Sequence, residues 1–141
     1  MKLFDTNVLI YSFDLESSFH EWAKERLSES ILKREALVNP VILAELGVGD
    51  TNPSTLSKRL RGLGIQLVDL PLESASLAAV AYARYLNVRR SSHQPSTVKI
   101  PLPDFLIGGH AQLLSYPIVT ADEDRYKKYF PRVQLITPSD H

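Results

Sequence analysis

Residues 2–14, KLFDTNVLIYSFD, show how the fold begins. Lys2–Asp5 predicts a short strand, because two apolar residues are followed by a polar turn, DTN at 5–7. Apolar residues then recur at helical spacing through Val8 and Tyr11. The opening stretch therefore predicts a strand that passes through a polar turn directly into a helix.

The same alternation continues along the whole chain. Further strands are predicted at residues 36–39, 65–69, 117–120 and 133–136. Helices are predicted from Ser17 or Ser18 to Ile31, and at residues 41–48, 53–64, 72–88, 104–115 and 122–129. Strands separated by helices indicate a single α/β domain over residues 1–141, with three layers: a mostly parallel sheet of about five strands and helices on both faces.

Composition excludes several classes of protein. The chain has 141 residues, of which 44% are hydrophobic, and this length fits one globular domain. It has no cysteine, which excludes disulfides, thiolate metal sites and a thiol nucleophile. Asp5 interrupts the first apolar stretch, so no signal peptide is predicted. We expect a cytoplasmic protein without a membrane span.

Charge is balanced overall but unevenly distributed. The 16 basic and 16 acidic residues cancel, while residues 1–50, 51–100 and 101–141 carry −4, +5 and −1. A neutral protein does not bind polyanions with its whole surface. Any contact with nucleic acid should therefore be local.

Four acids are predicted to meet at one edge of the sheet. Asp5 ends the first strand, and Asp122 comes two residues after Thr120, at the end of the fourth. Glu45 lies on the helix that leaves the second strand, and Asp104 lies in the first turn of a later helix. In parallel α/β sheets, ligands bind outside the carboxyl ends of the strands, where these acids are expected.

Each aspartate alone is most simply a helix cap. Together, however, such carboxylates would repel each other by about 4 kcal/mol per close pair, so the cluster needs a cation. Oxygen ligands in the absence of cysteine favour Mg²⁺ or Mn²⁺. A hydrated divalent ion in an acidic pocket suits phosphodiester cleavage, with one carboxylate accepting the proton of the attacking water. The sequence leaves open which carboxylate does so.

Four motifs carry a resemblance to a known family. LFDTNVLIY (3–11), AEL (44–46), PDFLIGGHA (103–111) and IVTAD (118–122) occur in an order that resembles the PIN domain, and specifically the VapC-type toxins of toxin–antitoxin pairs. The resemblance implies a metal-dependent ribonuclease with a PIN-like, Rossmann-like fold. It implies an acidic site of Asp5, Glu45, Asp104 and Asp122, with Asn7 and Thr120 at supporting polar positions. Ala121 departs from the pattern, because many relatives carry Arg there.

Partners follow from the same resemblance and from surface chemistry. We expect an RNA substrate, a cognate antitoxin peptide bound in an apolar groove, and a homodimer, because apolar residues at 13–22 and 72–86 exceed what a small monomer usually buries. A predicted loop at 89–103 leads to Asp104 and carries basic residues that are candidates for RNA contact: Arg89, Arg90, His93 and Lys99. A basic helix at 58–61 is the competing RNA face.

Two other functions remain as alternatives. LFDTN also suggests a haloacid-dehalogenase-like phosphatase with Asp5 as nucleophile, but Asn7 stands where such enzymes need a second aspartate. A non-catalytic interaction module with the same fold is the other alternative, which the full set of four acids disfavours. Of the histidines, His110 is expected to be packed and hydrogen-bonded and His20 to lie at the surface. Gly108-Gly109 indicates close helix packing.

Overall fold

The computed structural model describes residues 1–91 and 99–140. The strands are β1 (Lys2–Phe4), β2 (Ala36–Val38), β3 (Gln66–Leu67), β4 (Ile118–Val119) and β5 (Leu135–Ile136). The α-helices are α1 (Thr6–Phe13), α2 (His20–Leu32), α3 (Pro40–Val48), α4 (Leu56–Leu63), α5 (Ser74–Ser91) and α6 (Leu102–Leu114). Short 3₁₀ turns lie at Pro53–Thr55, Glu123–Arg125 and Pro138–Asp140.

The five strands form one parallel sheet in the order β3-β2-β1-β4-β5. This confirms the predicted α/β class and sheet. The chain moves outward from β1 to β2 and β3, and then returns to place β4 on the other side of β1. The strand order therefore reverses between β1 and β4. A crevice forms outside the carboxyl ends of strands at such a reversal, and ligands bind there.

The sheet forms the centre of the core. Leu3 and Phe4 of β1 and Ile118 of β4 are completely buried, as expected for parallel strands covered on both faces. On α6, Phe105 packs against Tyr85 of α5, with ring centroids 5.4 Å apart. Within the described part of the chain, no helix is long and apolar enough to cross a bilayer.

Several element boundaries differ from the sequence-based prediction, and three of the differences have a clear structural basis. The helix expected at 122–129 is only the 3₁₀ turn Glu123–Arg125. Helix α2 begins at His20 because the Ser17 hydroxyl accepts the Phe19 amide at 3.1 Å and closes a turn before the helix. Helix α5 continues to Ser91, since no glycine or proline interrupts residues 89–91. The loop predicted at 89–103 therefore starts later, and part of it lies outside the described residues.

Gly109 sits where α6 approaches α5, as the Gly-Gly pair predicted. A β-carbon at Gly109 would lie 2.7 Å from the Ser74 carbonyl oxygen. Helix propensity favours Ala over Gly by about 1 kcal/mol. The clash is with a backbone atom, which cannot rotate away, and such overpacking costs about 1–3 kcal/mol. We therefore expect Gly109→Ala to lower the free energy of unfolding, measured by urea denaturation.

Gly62 provides the matched control. It also lies inside a helix, α4, but a β-carbon there would have no neighbour within 4 Å. Gly62→Ala should stabilise the protein by up to about 1 kcal/mol. Equal stability of the two alanine variants would contradict the close approach of α5 and α6.

Candidate active site

Asp5 lies at the carboxyl end of β1 and is buried, with 1% of its surface exposed. It is the N-cap of α1: its Oδ1 accepts the Thr6 amide at 2.9 Å. Its Oδ2 accepts the Thr120 hydroxyl at 2.8 Å and faces the Asn7 amide group at 3.5 Å. Asp5 thus caps a helix and also joins the ends of β1 and β4.

Asn7 and Thr120 hold the two strand ends together. The Asn7 side-chain oxygen accepts the Ala121 amide at 3.2 Å, and the Thr120 hydroxyl accepts the Asp122 amide at 3.1 Å. These bonds fix the backbone that carries Asp122. Both residues therefore stand where the sequence analysis expected supporting polar groups.

Glu45 reaches the same edge from α3. Its Oε1 accepts the Thr6 hydroxyl at 2.7 Å, which ties α3 to the turn after Asp5. Sequence analysis did not single out Thr6. Its position directly after Asp5, at the end of a predicted strand, could have indicated that it lies beside the acids.

Asp104 is the most unusual acid of the group. It is 1% exposed, and neither of its carboxylate oxygens has a hydrogen-bond partner among the described residues. Its pKa is raised to about 7, chiefly by burial and also by the nearby charges of Asp5, Glu45 and Asp122, whereas Arg125 opposes the shift. The four acids named from the sequence therefore lie near one another at this edge of the sheet, and we call this group with its surroundings the acid pocket.

Burial also raises the pKa of Asp5, although its hydrogen bond from Thr120 opposes the shift. Burial is the largest cause of both shifts, so desolvation is what mainly destabilises the charged forms of these two carboxyls. Such a pocket is stabilised by protons or by a cation, and it attracts either one.

Arg125 supplies positive charge at the mouth of this pocket. Its Nε donates to Asp122 Oδ2 at 2.9 Å, and its Nη1 lies 3.6 Å from Asp104 Oδ1. The side chain is 40% exposed. Sequence analysis missed Arg125, although a basic residue three positions after an acid in a predicted helix would share its face.

Tyr126 is a second residue that the sequence analysis missed. It is completely buried behind the acids. Burial raises the pKa of its hydroxyl well above the usual value, and the charges of Asp5 and Asp104 add to the effect. The turn after Asp122 thus places a guanidinium and a phenol beside the carboxylates.

Among the described residues, no three acidic or histidine side chains are arranged as a preformed metal site. Arg125 contacts two of the acids instead. The donor set nevertheless fits a hard cation, because Asp104 presents two buried oxygens that accept no hydrogen bond from any residue the structure describes.

Comparison with protein-family models matches residues 2–131 to the PIN domain. The chain belongs to the PIN domain family. This match includes all four acids and both polar residues that join the strand ends in this PIN domain. A comparison with curated proteins found no match.

Solved structures share the fold of this PIN domain. VapBC2 from Rickettsia felis, bound to a DNA fragment from its promoter, is 16% identical with a TM-score of 0.69, covering 96% of this chain and 97% of the other. A toxin–antitoxin complex from Klebsiella pneumoniae is 22% identical with a TM-score of 0.66 and 98% coverage of both chains. FitAcB from Neisseria gonorrhoeae is 20% identical with a TM-score of 0.66 and full coverage of both chains. At these identities the similarity concerns the fold.

The basic residues predicted in a loop lie partly on a helix of the PIN domain. Arg89 and Arg90 belong to the last turn of α5, and Lys99 is exposed. The Tyr85 hydroxyl accepts the Ile100 amide at 2.7 Å and an Arg89 Nη1 group at 3.3 Å. Tyr85 also packs on Phe105 of α6, so Arg89 and the segment after Lys99 lie near the start of the helix that carries Asp104. His93 lies outside the described residues.

The two histidines within the described residues, His110 and His20, are both structural. His110 is fully buried with its Nδ1 3.1 Å from the Asn39 side-chain amide, which confirms the packed, hydrogen-bonded interpretation. Burial lowers its pKa, so it stays neutral. His20 was expected at the surface, but this was wrong: it is 7% exposed, with Nδ1 2.9 Å from the Tyr11 carbonyl oxygen. The polar sequence around His20 suggested an exposed side chain and gave no sign of this hydrogen bond to α1.

Proposed function

We propose that this PIN domain is a Mg²⁺- or Mn²⁺-dependent endoribonuclease and the toxin of a type II toxin–antitoxin pair acting in the cytoplasm. The observation that carries the proposal is Asp104, a buried carboxylate with two unsatisfied oxygens in a pocket shared with three further acids. Such a group is costly in a purely structural role, because buried polar atoms are normally hydrogen-bonded. It is useful where a cation must be bound.

Asp5, Glu45, Asp104 and Asp122 are the residues that would hold the ion. When bound, a divalent ion lowers the pKa of a coordinated water and stabilises the leaving oxygen of a phosphodiester. Thr120 and Thr6 orient Asp5 and Glu45 through their hydroxyl groups, so these two carboxylates are fixed in position. A carboxylate of the group then accepts the proton of the attacking water.

The direct test is cleavage of total cellular RNA by the purified protein, with the new ends mapped by sequencing. We expect cleavage with Mg²⁺ or Mn²⁺ and none with EDTA. Cleavage that persists in EDTA, or intact RNA with both ions, would overturn the proposed activity. Labelling of Asp5 by a phosphate monoester would instead support the phosphatase alternative.

The exposed cations at the end of α5 and just before α6 are proposed to bind the RNA backbone. Arg90 and Lys99 are exposed, whereas Arg89 also contacts Tyr85, so Arg90→Ala with Lys99→Ala is the cleaner double variant. We expect weaker RNA binding, unchanged Mn²⁺ affinity, and a slope of log affinity against log salt reduced by up to about 1.4, since each single-strand phosphate contact contributes about 0.7.

Helix α4 supplies the control for this prediction. Lys58→Ala with Arg61→Ala removes the same charge from exposed positions on α4. The salt slope of this variant should match that of the unaltered protein. If the α4 variant changes the slope and the Arg90/Lys99 variant does not, RNA binds α4 instead.

An antitoxin peptide is proposed to bind an apolar groove beside the acid pocket. The groove has a volume of about 620 Å³ and is lined mainly by apolar residues of α1, α3 and α4: Leu9, Ile10, Phe13, Leu46, Leu56, Leu60 and Leu63. Leu46 of this lining follows Glu45 in sequence, so the groove and the acid pocket share helix α3. The structures of similar fold from Klebsiella pneumoniae and Rickettsia felis are a toxin–antitoxin complex and a VapBC protein, which supports such a partner.

Phe13→Glu tests this groove, because Phe13 is 62% exposed. We expect the variant to lose binding of the antitoxin encoded beside its gene, measured by calorimetry, and to keep its RNA cleavage. Leu32→Glu is the control, since Leu32 is 85% exposed at the end of α2 and does not line the groove. Equal affinity of both variants for the antitoxin would place the peptide elsewhere.

The homodimer remains a prediction. Helix α5 leaves Val80 63% exposed and Val88 43% exposed, which is consistent with a subunit interface. In the other apolar region, Trp22 was expected to be exposed but is only 9% exposed, because it packs into the core from α2. Light scattering measures the oligomeric state directly, and a monomer at high concentration would contradict the dimer.

A further inference from the structure

Arg125 occupies an unusual position for a half-exposed cation. Its guanidinium contacts Asp122 by a hydrogen bond and Asp104 only by an ion pair at 3.6 Å, a distance too long for a hydrogen bond. Its Nη2 donates no hydrogen bond to the described residues. Arg125 thus neutralises the pocket without satisfying the oxygens of Asp104.

This arrangement makes Arg125 easy to displace. A half-exposed ion pair contributes little to stability, because water screens it. A divalent ion brings twice the charge and can coordinate oxygen directly, which the guanidinium does not do at Asp104. The two cations would compete for the same carboxylates, since like charges within a few Å repel each other.

We propose that Arg125 binds a phosphate of the RNA backbone once a divalent ion has displaced its guanidinium from Asp104. In the metal-free protein the same guanidinium pairs with the acids instead. This inference rests on the proposed function. The planar guanidinium suits the task, because its paired N–H groups match two phosphate oxygens. Its place on the turn after Asp122 keeps it at the pocket mouth in both states.

Mn²⁺ binding without RNA tests the competition. Arg125→Gln removes the competing cation and should raise Mn²⁺ affinity about tenfold, measured by calorimetry. Lys127→Gln is the matched control: this exposed lysine lies two residues further along, pairs with Glu123 and Asp124, and carries the same charge. Its loss should leave Mn²⁺ affinity nearly unchanged. Lower or unchanged affinity in Arg125→Gln would overturn the competition.

RNA binding tests the second half of the inference. With Ca²⁺ in place of Mg²⁺ and the RNA shown to stay intact on a gel, Arg125→Gln should weaken binding about tenfold and reduce the salt slope by about 0.7. Arg125→Lys should retain part of the affinity, because it keeps the charge but loses the paired geometry. RNA affinity equal to that of Lys127→Gln would overturn phosphate binding.

These outcomes separate the inference from the proposed function. If the unaltered protein binds Mn²⁺ and Asp104→Asn does not, while Arg125→Gln behaves like Lys127→Gln, the inference about Arg125 alone is wrong. If the unaltered protein shows no Mn²⁺ binding that depends on Asp104, both the proposed metal site and the inference are overturned.

Discussion

Asp104→Asn is expected to abolish both Mn²⁺ binding and RNA cleavage while the fold survives. The substitution keeps the shape of the side chain but removes one of the charges that would hold the ion. Changes to groups that only support a metal ligand typically cost 10–100-fold, so loss of a ligand should reduce cleavage by more than about a hundredfold. Calorimetry with Mn²⁺ and a cleavage assay at several metal concentrations measure the two effects. Asp5→Asn should behave in the same way.

Asp124→Asn is the matched control. Asp124 lies in the same 3₁₀ turn as Arg125, but its side chain is 83% exposed and pairs with Lys127 instead of facing the pocket. It should bind Mn²⁺ and cleave RNA like the unaltered protein. Unchanged Mn²⁺ affinity in Asp104→Asn would refute the assignment of the pocket as a metal site.

The metal-free protein is expected to lose stability as the pH rises from about 4 to about 7. The pKa of Asp104 is about 7 in the fold, against an ordinary value of 3.8, so in this range the folded state holds a proton that the unfolded state has released. Each pKa unit corresponds to about 1.4 kcal/mol, which makes the total effect on the order of a few kcal/mol. Asp5, whose pKa is also raised, acts in the same direction.

Comparison with Asp104→Asn isolates this effect. The variant should match the unaltered protein near pH 4 and be more stable above pH 7, when both are melted in EDTA. His110 acts in the opposite direction, because its lowered pKa favours the fold as the pH rises, but it is common to both proteins and cancels in the difference. An equal melting temperature for both proteins at pH 8 would show that the charge on Asp104 carries no penalty.

Much of the pocket could be predicted from the sequence, because several of its residues directly follow strands. Asp5 and Thr120 follow short apolar strands, and parallel strands end at a common edge, so a one-dimensional pattern places them together. Asp104 was predictable because it lies in the first turn of a helix with a proline near its start, and Glu45 because it lies on the helix that leaves β2.

Arg125 and Tyr126 were not predictable in the same way. The prediction placed both on a helix, whereas the chain makes a single 3₁₀ turn, and the direction of their side chains depends on that turn. The extension of α5 was missed because the serine and arginine residues after Val88 have loop-like polarity, although none of them breaks a helix. Hydrophobic periodicity identifies the buried face of a helix, so it says little about where a helix ends when its last turn is exposed to solvent.

The hydrogen bond between Asp5 and Thr120 can form only late in translation. It joins residues 115 positions apart, and β4 must align with β1 before it can form. Contacts of such long sequence separation form late, because the chain between them must first be closed into a loop. A chain that is still being translated therefore carries Asp5, Glu45 and Asp104 without the strand that completes their pocket. Any activity of this pocket would begin only once the residues through Asp122 have left the ribosome.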